Sequence, residues 1–248
     1  FFKQKTAYEI VDCDWSSDVC SSDLTVADAA ARPLHWVYDP KKLKKYIKGK
    51  KEIAFLKKNQ SPFYSIKTGN VSGYNDVGQV MFKTLMSTKK KSEILKIFKR
   101  NIIKNFGSGS AYWRNLKLRK KYKKIKWKKP MNGPWIHQNI LETIRNLKVK
   151  KRVTGGTKVN ESDGYCAALP YYLYSNSDKE LKRIIKSVAN SNINETYALA
   201  KLKLIDLANK RDKKLIKSKM RYEALDYPKE ESKYYENDTN IETQLLLM

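Results

Sequence analysis

Three aspartates have the residue type and the local sequence to do chemistry. Asp28, Asp76 and Asp163 lie at the start of, or within, small-residue stretches of helical pattern: VADAAARP, SGYNDVGQVM and ESDGYCAALP. A carboxylate at the start of a helix usually caps free N–H groups and complements the helix dipole. Carboxylate oxygens are also the ligands that Mg²⁺ and Ca²⁺ prefer. The residue types alone leave both roles open.

The two histidines of the chain, His35 and His137, each lie close in sequence to a tryptophan. A lone histidine beside an aromatic residue is more often structural than catalytic, and the spacing predicts neither a Ser-His-Asp triad nor a paired-histidine metal site. The glycine-containing segments GSGS at 107–110 and TGGTK at 154–158 match no glycine-rich nucleotide loop, so we interpret them as turns.

The elements that must position these side chains are predicted from apolar residues spaced i, i+3, i+4. Asp39 is predicted to cap the first of them, and Ser177 with Glu180 forms a capping-box pattern. Sustained period-2 alternation is not found, so the predicted fold class is all-α. The predicted helices are 39–49, 76–87, 92–107, 133–149, 177–189 and 194–208, with loops at 57–75, 107–113 and 150–162.

The first residues differ from the rest of the chain in composition. KQKTAYEI at 3–10 and DWSSDVCSSDL at 14–24 back-translate, in order and codon by codon, to parts of a sequencing-library adapter. The alternative is a genuine acidic arm with a Cys-x6-Cys pair. We interpret 1–24 as an adapter-derived artefact, expect it to be disordered, and exclude it from fold reasoning. The genuine chain is then expected to be cut short at its N-terminus and also at its C-terminus.

The net charge of +27 comes from 43 Lys and only 9 Arg. Proteins that read nucleic acids usually rely on the arginine fork, and a lysine excess is typical of an AT-rich coding sequence. The run at 117–130 interleaves Tyr122 and Trp127 with nine basic residues, a pattern that could clamp phosphates and stack bases. We favour a solvated loop for this run, because no nucleic-acid-binding module surrounds it.

The longest nearly apolar run, CAALPYYLY at 166–174, is too short to cross a bilayer, and no secretory signal pattern is found. Outside 3–24 the chain has one cysteine, Cys166, which indicates no disulfide framework. These observations predict an intracellular, cytoplasmic protein with no membrane partner and one helical domain at 25–210. We expect 211–248 to be a polar tail or the start of a truncated C-terminal part.

Three ordered segments carry a family resemblance: ADAAARPLHWVYDPKKL, SPFYSIKTGNVSGYNDVGQVMFKTLM, and the segment that starts with DGYCAALPYYLY. Together they resemble the ADP-ribosylglycohydrolase superfamily, most closely the branch with the J-type crystallins and selenoprotein J, over about 25–210. The resemblance implies a compact fold of many helices around a cleft with two Mg²⁺ ions. It also implies ADP-ribose, or an ADP-ribosylated protein, as the partner.

Carried over residue by residue, the resemblance is incomplete. Asn75–Gly78 occupies the position of a Thr-Asp-Asp-Thr metal motif, so Asp76 and Asn75 are the metal-ligand candidates there. Asp28 matches the acidic position of the first helix and is a further metal candidate. His35 occupies a position that is acidic in enzymes of the family, so no catalytic residue is assigned. Asp163 and Gly164 match an Asn-Gly pair that contacts ADP-ribose.

The second metal motif of the family is not found in 211–248. Because two divalent ions need several convergent oxygen ligands, we predict that this polypeptide does not hydrolyse ADP-ribosyl bonds. Three functions stay open. The parent protein could bind or hydrolyse ADP-ribosyl groups with Mg²⁺, it could be a non-catalytic crystallin-like protein of the same fold, or it could bind nucleic acid. Whether the protein is an enzyme is left undecided.

Overall fold

The computed structural model describes residues 25–51, 53–122, 131–148, 155–156, 161–175, 177–190 and 192–209. Several sequence predictions fall outside these ranges: the adapter-like segment 1–24, most of the loop 150–162, residues 123–130 of the basic run, and the tail 211–248.

Helices dominate the described residues, which confirms the predicted all-α class. The first helix, α1, covers 25–31 and runs into a 3₁₀ turn at Arg32–Leu34. The others are α2 Pro40–Ile47, α3 Gly73–Ser87, α4 Lys91–Phe106, α5 Ala111–Tyr122, α6 Gln138–Lys148, α7 Asp163–Tyr174, α8 Asp178–Val188 and α9 Asn192–Asn209. Two short strands, β1 Tyr64–Ser65 and β2 Met131–Asn132, pair in parallel and were not predicted.

Several helix starts differ from the sequence prediction. Helix α3 begins at Gly73 and not at 76, because Ser72 is its N-cap, so the loop predicted at 57–75 ends at Ser72. The helix predicted from 133 begins at Gln138, because 131–132 pairs with β1 and Gly133 has a φ of 106°. Helix α5 begins at Ala111, so the loop predicted at 107–113 ends at Ser110. The capping box was wrong: Ser177 precedes α8 without a side-chain cap, and Glu180 pairs with Arg183 at 2.8 Å instead.

The core is built around α7, which packs against α3, α8 and α9. Small residues allow this close approach: Ala167 and Ala168 are fully buried, and a Cβ at Gly78 would lie 3.3 Å from the Cys166 carbonyl oxygen. Pro170 lies four residues after Cys166 and has no N–H to donate to that carbonyl. Gly78 therefore packs against the Cys166 carbonyl, which receives no backbone hydrogen bond from Pro170 within α7.

A buried arginine organises the long segment between α2 and α3. Arg32 is 1% exposed, and its guanidinium donates to the Asn70 carbonyl at 2.8 Å and to the Asn59 side chain at 2.7 Å. It also donates to the carbonyls of Ile66 and Lys67, both at 3.1 Å. The planar fork satisfies four acceptors at once, which a lysine ammonium with three donors cannot do.

We predict that Arg32→Met lowers the free energy of unfolding by about 3 kcal/mol, because it removes the hydrogen bonds that the buried guanidinium donates to four acceptors. Urea denaturation measures the change. Arg145→Met is the matched control, because Arg145 is 59% exposed and lies 3.6 Å from Glu142, so its loss should cost less than about 1 kcal/mol. Equal losses in the two variants would contradict the role given to Arg32.

Candidate functional site

The first turn of α3 brings the predicted site residues together. Ser72 is the N-cap of α3, and its hydroxyl accepts from the Tyr74 N–H at 3.2 Å. The same hydroxyl donates to one oxygen of Asp28, and the Ser72 N–H donates to the other, both at 2.6 Å. Asp28 therefore ties α1 to the start of α3 through both of its oxygens.

Asp76 lies in the first turn of α3 and accepts a hydrogen bond from the hydroxyl of Tyr112 on α5. Burial raises the pKa of both Asp28 and Asp76 above the ordinary value, and the charge of Asp76 raises the pKa of Asp28 further. Hydrogen bonds from Ser72 and Tyr112 oppose this shift. The two carboxylates are thus close, partly buried and individually bonded to protein donors.

His137 and Asp163 form a buried pair behind this turn. His137 Nδ1 lies 2.7 Å from Asp163 Oδ1, and the two side chains are 2% and 0% exposed. The Tyr74 ring lies on the imidazole with 3.8 Å between centroids. Burial lowers the pKa of His137, but the charge and hydrogen bond of Asp163 outweigh it, so the net shift is upward. Asp163 Oδ2 is buried without a hydrogen-bond partner among the described residues.

The His35 ring also lies near Tyr74, with 5.6 Å between ring centroids. Its Nδ1 lies 2.7 Å from the Tyr64 hydroxyl. Burial lowers the pKa of His35 to about 3, and the nearby charges of His137 and Arg32 add to the effect. The imidazole is therefore neutral at physiological pH.

Two other predicted site residues have local protein partners. Asn75 Nδ2 lies 3.4 Å from the Thr25 hydroxyl on α1. A Cβ at Gly164 would lie 2.9 Å from Ile185 Cγ2 and 3.1 Å from the Ala189 Cβ, both contributed by α8 or its C-cap. Helix packing alone explains the glycine. Contact of Asp163 and Gly164 with ADP-ribose stays a prediction.

The metal candidates Asp28, Asn75 and Asp76 do not fit a site for two Mg²⁺ ions. They supply two carboxylates and one amide, and protein donors engage three of the four carboxylate oxygens. A dinuclear site requires several convergent, ionised oxygen ligands. Within the described ranges, no group of three or more His, Cys, Asp or Glu side chains is arranged to hold a metal ion. We therefore derive no reaction step through magnesium.

An open cavity lies elsewhere in the described residues. A shallow cleft of about 780 Å³ beside β1 and β2 is lined by residues between 57 and 70 and by 132–134. Its polar groups include Lys57, Lys67 and Asn132, whereas the predicted aspartates and histidines do not line it. The cluster around the first turn of α3 is thus separate from this cleft.

Comparison with known proteins finds two curated relatives in Tripedalia cystophora. Crystallin J1B is 27% identical over 169 residues, and Crystallin J1A is 26% identical over 169 residues. The match covers 68% of this chain and 49% of each relative, so the chain spans about half the length of the curated relatives it matches. No protein-family model matches the chain. No solved structure matches it either.

Sequence reasoning missed the partners of the site residues. Ser72 carries a recognisable signal, because a serine before a helical stretch is a common N-cap. Tyr74 and Tyr112 carry no local signal, since nothing in their neighbourhood marks a buried hydroxyl or a stacked ring. Glu161 also went unnoticed, although its carboxylate accepts from the N–H groups of Gln138 at 3.3 Å and Asn139 at 2.9 Å and so caps α6.

We predict that Gly164→Ala lowers the free energy of unfolding by about 1 to 3 kcal/mol, because the new methyl group overlaps Ile185 and Ala189. Gly78→Ala is the matched control within a helix. Its new Cβ would meet its nearest neighbour at 3.3 Å, so the cost should be smaller and partly offset by the helix propensity of alanine. Thermal or urea unfolding measures both, and an unchanged stability in Gly164→Ala would contradict the packing role.

The two histidines should give opposite slopes of stability against pH. His35 has a lowered pKa, so its contribution is present above its ordinary value of 6.5 and is lost as the pH falls from there toward 3. His137 has a raised pKa, so its contribution is complete below 6.5 and is lost as the pH rises through the folded-state value.

Urea unfolding of the wild type, His35→Gln and His137→Gln between about pH 4 and pH 9 tests this prediction. His35→Gln should lose less stability than the wild type on acidification below neutral pH. His137→Gln should lack the gain that the wild type shows as the pH falls from alkaline values to about 6.5. Three parallel curves would show that neither histidine is perturbed as described.

Proposed function

We propose that the chain is a non-hydrolysing, crystallin-like structural protein with a fold of the ADP-ribosylglycohydrolase type. The proposal rests on the hydrogen bonds that the carboxylates of the three aspartates make within the protein. Asp28 binds the amide and hydroxyl of Ser72, Asp76 binds the hydroxyl of Tyr112, and Asp163 binds His137. Side chains that the family resemblance assigns to metal or ligand are engaged in holding helices together.

The relatives support the same proposal, since both carry the name crystallin. The surface charge is also compatible with a structural protein that is present at high concentration. A net charge of +27 on 248 residues makes copies of the chain repel one another, which favours solubility.

Hydrolysis of ADP-ribosyl bonds with Mg²⁺ is the alternative for a longer protein. It rests on the resemblance around Asp28, Asp76 and Asp163, and on the fact that the relatives are about twice as long as the matched part. The described residues favour hydrolysis less than a structural role, because His35 is neutral and the aspartates already accept hydrogen bonds from protein donors.

We predict that the purified protein with Mg²⁺ releases no ADP-ribose from ADP-ribosylated arginine or serine peptides above the buffer background. An active hydrolase serves as the positive control for the assay. We also predict that millimolar Mg²⁺ shifts the melting temperature by less than about 1 °C, because stabilisation by a ligand requires binding to the folded state.

Two results would contradict the proposed function. One is the release of ADP-ribose that depends on Mg²⁺. The other is a Mg²⁺-dependent rise in melting temperature of several degrees that disappears in Asp76→Asn. Asparagine keeps an acceptor for the Tyr112 hydroxyl but loses the charge that a divalent ion needs, so this variant separates metal binding from the structural contact.

A further inference from the structure

We propose that α2 and its flanking residues form a surface that docks on anionic phospholipid bilayers. The surface, here called the α2 face, consists of Tyr38, the lysines between 41 and 51, the apolar stripe of α2, and Phe55. None of the eight residues of α2 is buried, in contrast to α3, α4, α6, α7 and α8, each of which buries several.

Positive charge is concentrated on this face. Seven of the eleven residues from 41 to 51 are lysine, and all seven side chains are exposed. The nearest carboxylate on the N-terminal side, Asp39, accepts from the N–H groups of Lys41 at 2.9 Å and Lys42 at 3.3 Å, so it is engaged as the N-cap. Each lysine near an anionic membrane surface strengthens binding by about fivefold at low salt.

Apolar side chains form one face of the same helix. Leu43, Tyr46 and Ile47 follow the i, i+3, i+4 spacing of one helix face, and each is only partly covered. Tyr38, just before the N-cap, is 52% exposed, and Phe55, in the segment after the helix, is 43% exposed. Single exposed apolar residues need no explanation, but an amphipathic basic helix flanked by exposed aromatic rings is the pattern of an interfacial helix.

The helix ends are defined within the segment itself. Asp39 and Pro40 begin α2, and the Lys48 N–H bonds to the Lys44 carbonyl before Gly49, which has a φ of 71° and open space around it. A short helix is marginal in water without packing partners. A bilayer that covers the apolar stripe would supply such a partner.

The apolar side chains favour a bilayer over a nucleic acid as the occupant. Phosphates alone would be served by the lysines, whereas Leu43, Ile47 and Phe55 gain only when a partner removes them from water. The sequence predicts no membrane partner because it lacks a spanning segment, and within the described residues no helix is long and apolar enough to cross a membrane. An interfacial helix requires no such span, so the proposed role of the α2 face is compatible with this finding.

Co-sedimentation of the full chain with vesicles tests the proposal. Vesicles of phosphatidylcholine alone are compared with vesicles that contain about one third phosphatidylserine, at low and at physiological salt. We expect binding to the anionic vesicles only. A triple variant should weaken binding to the anionic vesicles by on the order of tenfold to a hundredfold at low salt; it combines Lys41→Gln, Lys42→Gln and Lys45→Gln. The matched control is Lys89→Gln with Lys90→Gln and Lys91→Gln, an equal charge change at exposed lysines before and at the start of α4, which should leave binding within about twofold.

A second variant, Leu43→Ser with Ile47→Ser, keeps the charge and removes the apolar stripe. It should weaken the binding that persists at physiological salt, and an unchanged melting temperature shows that the variant folds. Three outcomes would overturn the proposal: equal binding to both vesicle types, equal losses in the two lysine triples, or no loss in Leu43→Ser with Ile47→Ser. A single-stranded oligonucleotide that binds the α2 face more tightly than the anionic vesicles would also overturn it, in favour of nucleic acid.

Discussion

The arrangement around the candidate site depends on one hydroxyl group with two hydrogen-bonding roles. Ser72 Oγ donates to Asp28 and accepts from the Tyr74 N–H, so it joins α1 to the first turn of α3. Once that turn is fixed, Tyr74 lies on the His137 ring and Asp76 reaches Tyr112 on α5. Partial removal of a carboxylate from water is costly unless donors replace the lost water, and Ser72 supplies two such donors to Asp28. Asp28 therefore acts as the acceptor that determines where α3 begins, whatever its role in relatives.

The need to pair charges that are removed from water also explains where this basic chain places its cations. Lysine dominates the exposed positions, whereas the fully buried cation of the described residues is an arginine, Arg32. A guanidinium is weakly hydrated and presents its donors in a fixed plane, so four acceptors of the segment 59–70 can be satisfied at one point. Asn59 extends the arrangement by donating to the Tyr64 carbonyl at 2.9 Å. Tyr64 in turn bonds His35, so the arginine positions the neutral histidine of the site.

Local pattern predicted most of the helices, and long-range contacts explain most of what it missed. Helices α4 and α8 follow apolar stripes that their own sequence displays, so their positions were predicted closely. The start of α6 depends on Glu161, whose carboxylate lies more than twenty residues along the chain from the amides that it caps. Likewise the three aspartates were found, but their partners were not, because Ser72 lies 44 residues from Asp28 and Tyr112 lies 36 from Asp76. No local signal encodes such a pairing.

The departure from the metal motif that the sequence resemblance implies is a matter of packing as well as of missing ligands. Val77, at a position where the resemblance expects aspartate, is 0% exposed within the core. An aspartate there would place a charge among apolar side chains, at a cost that drives such groups toward the neutral form. Gly78, where threonine is expected, already lies against the Cys166 carbonyl, and a Cβ would meet that oxygen at 3.3 Å. Because this face of α3 is occupied by α7, restoring the ligands one at a time would work against the helix packing that now fills their place, and this supports a structural role for the chain.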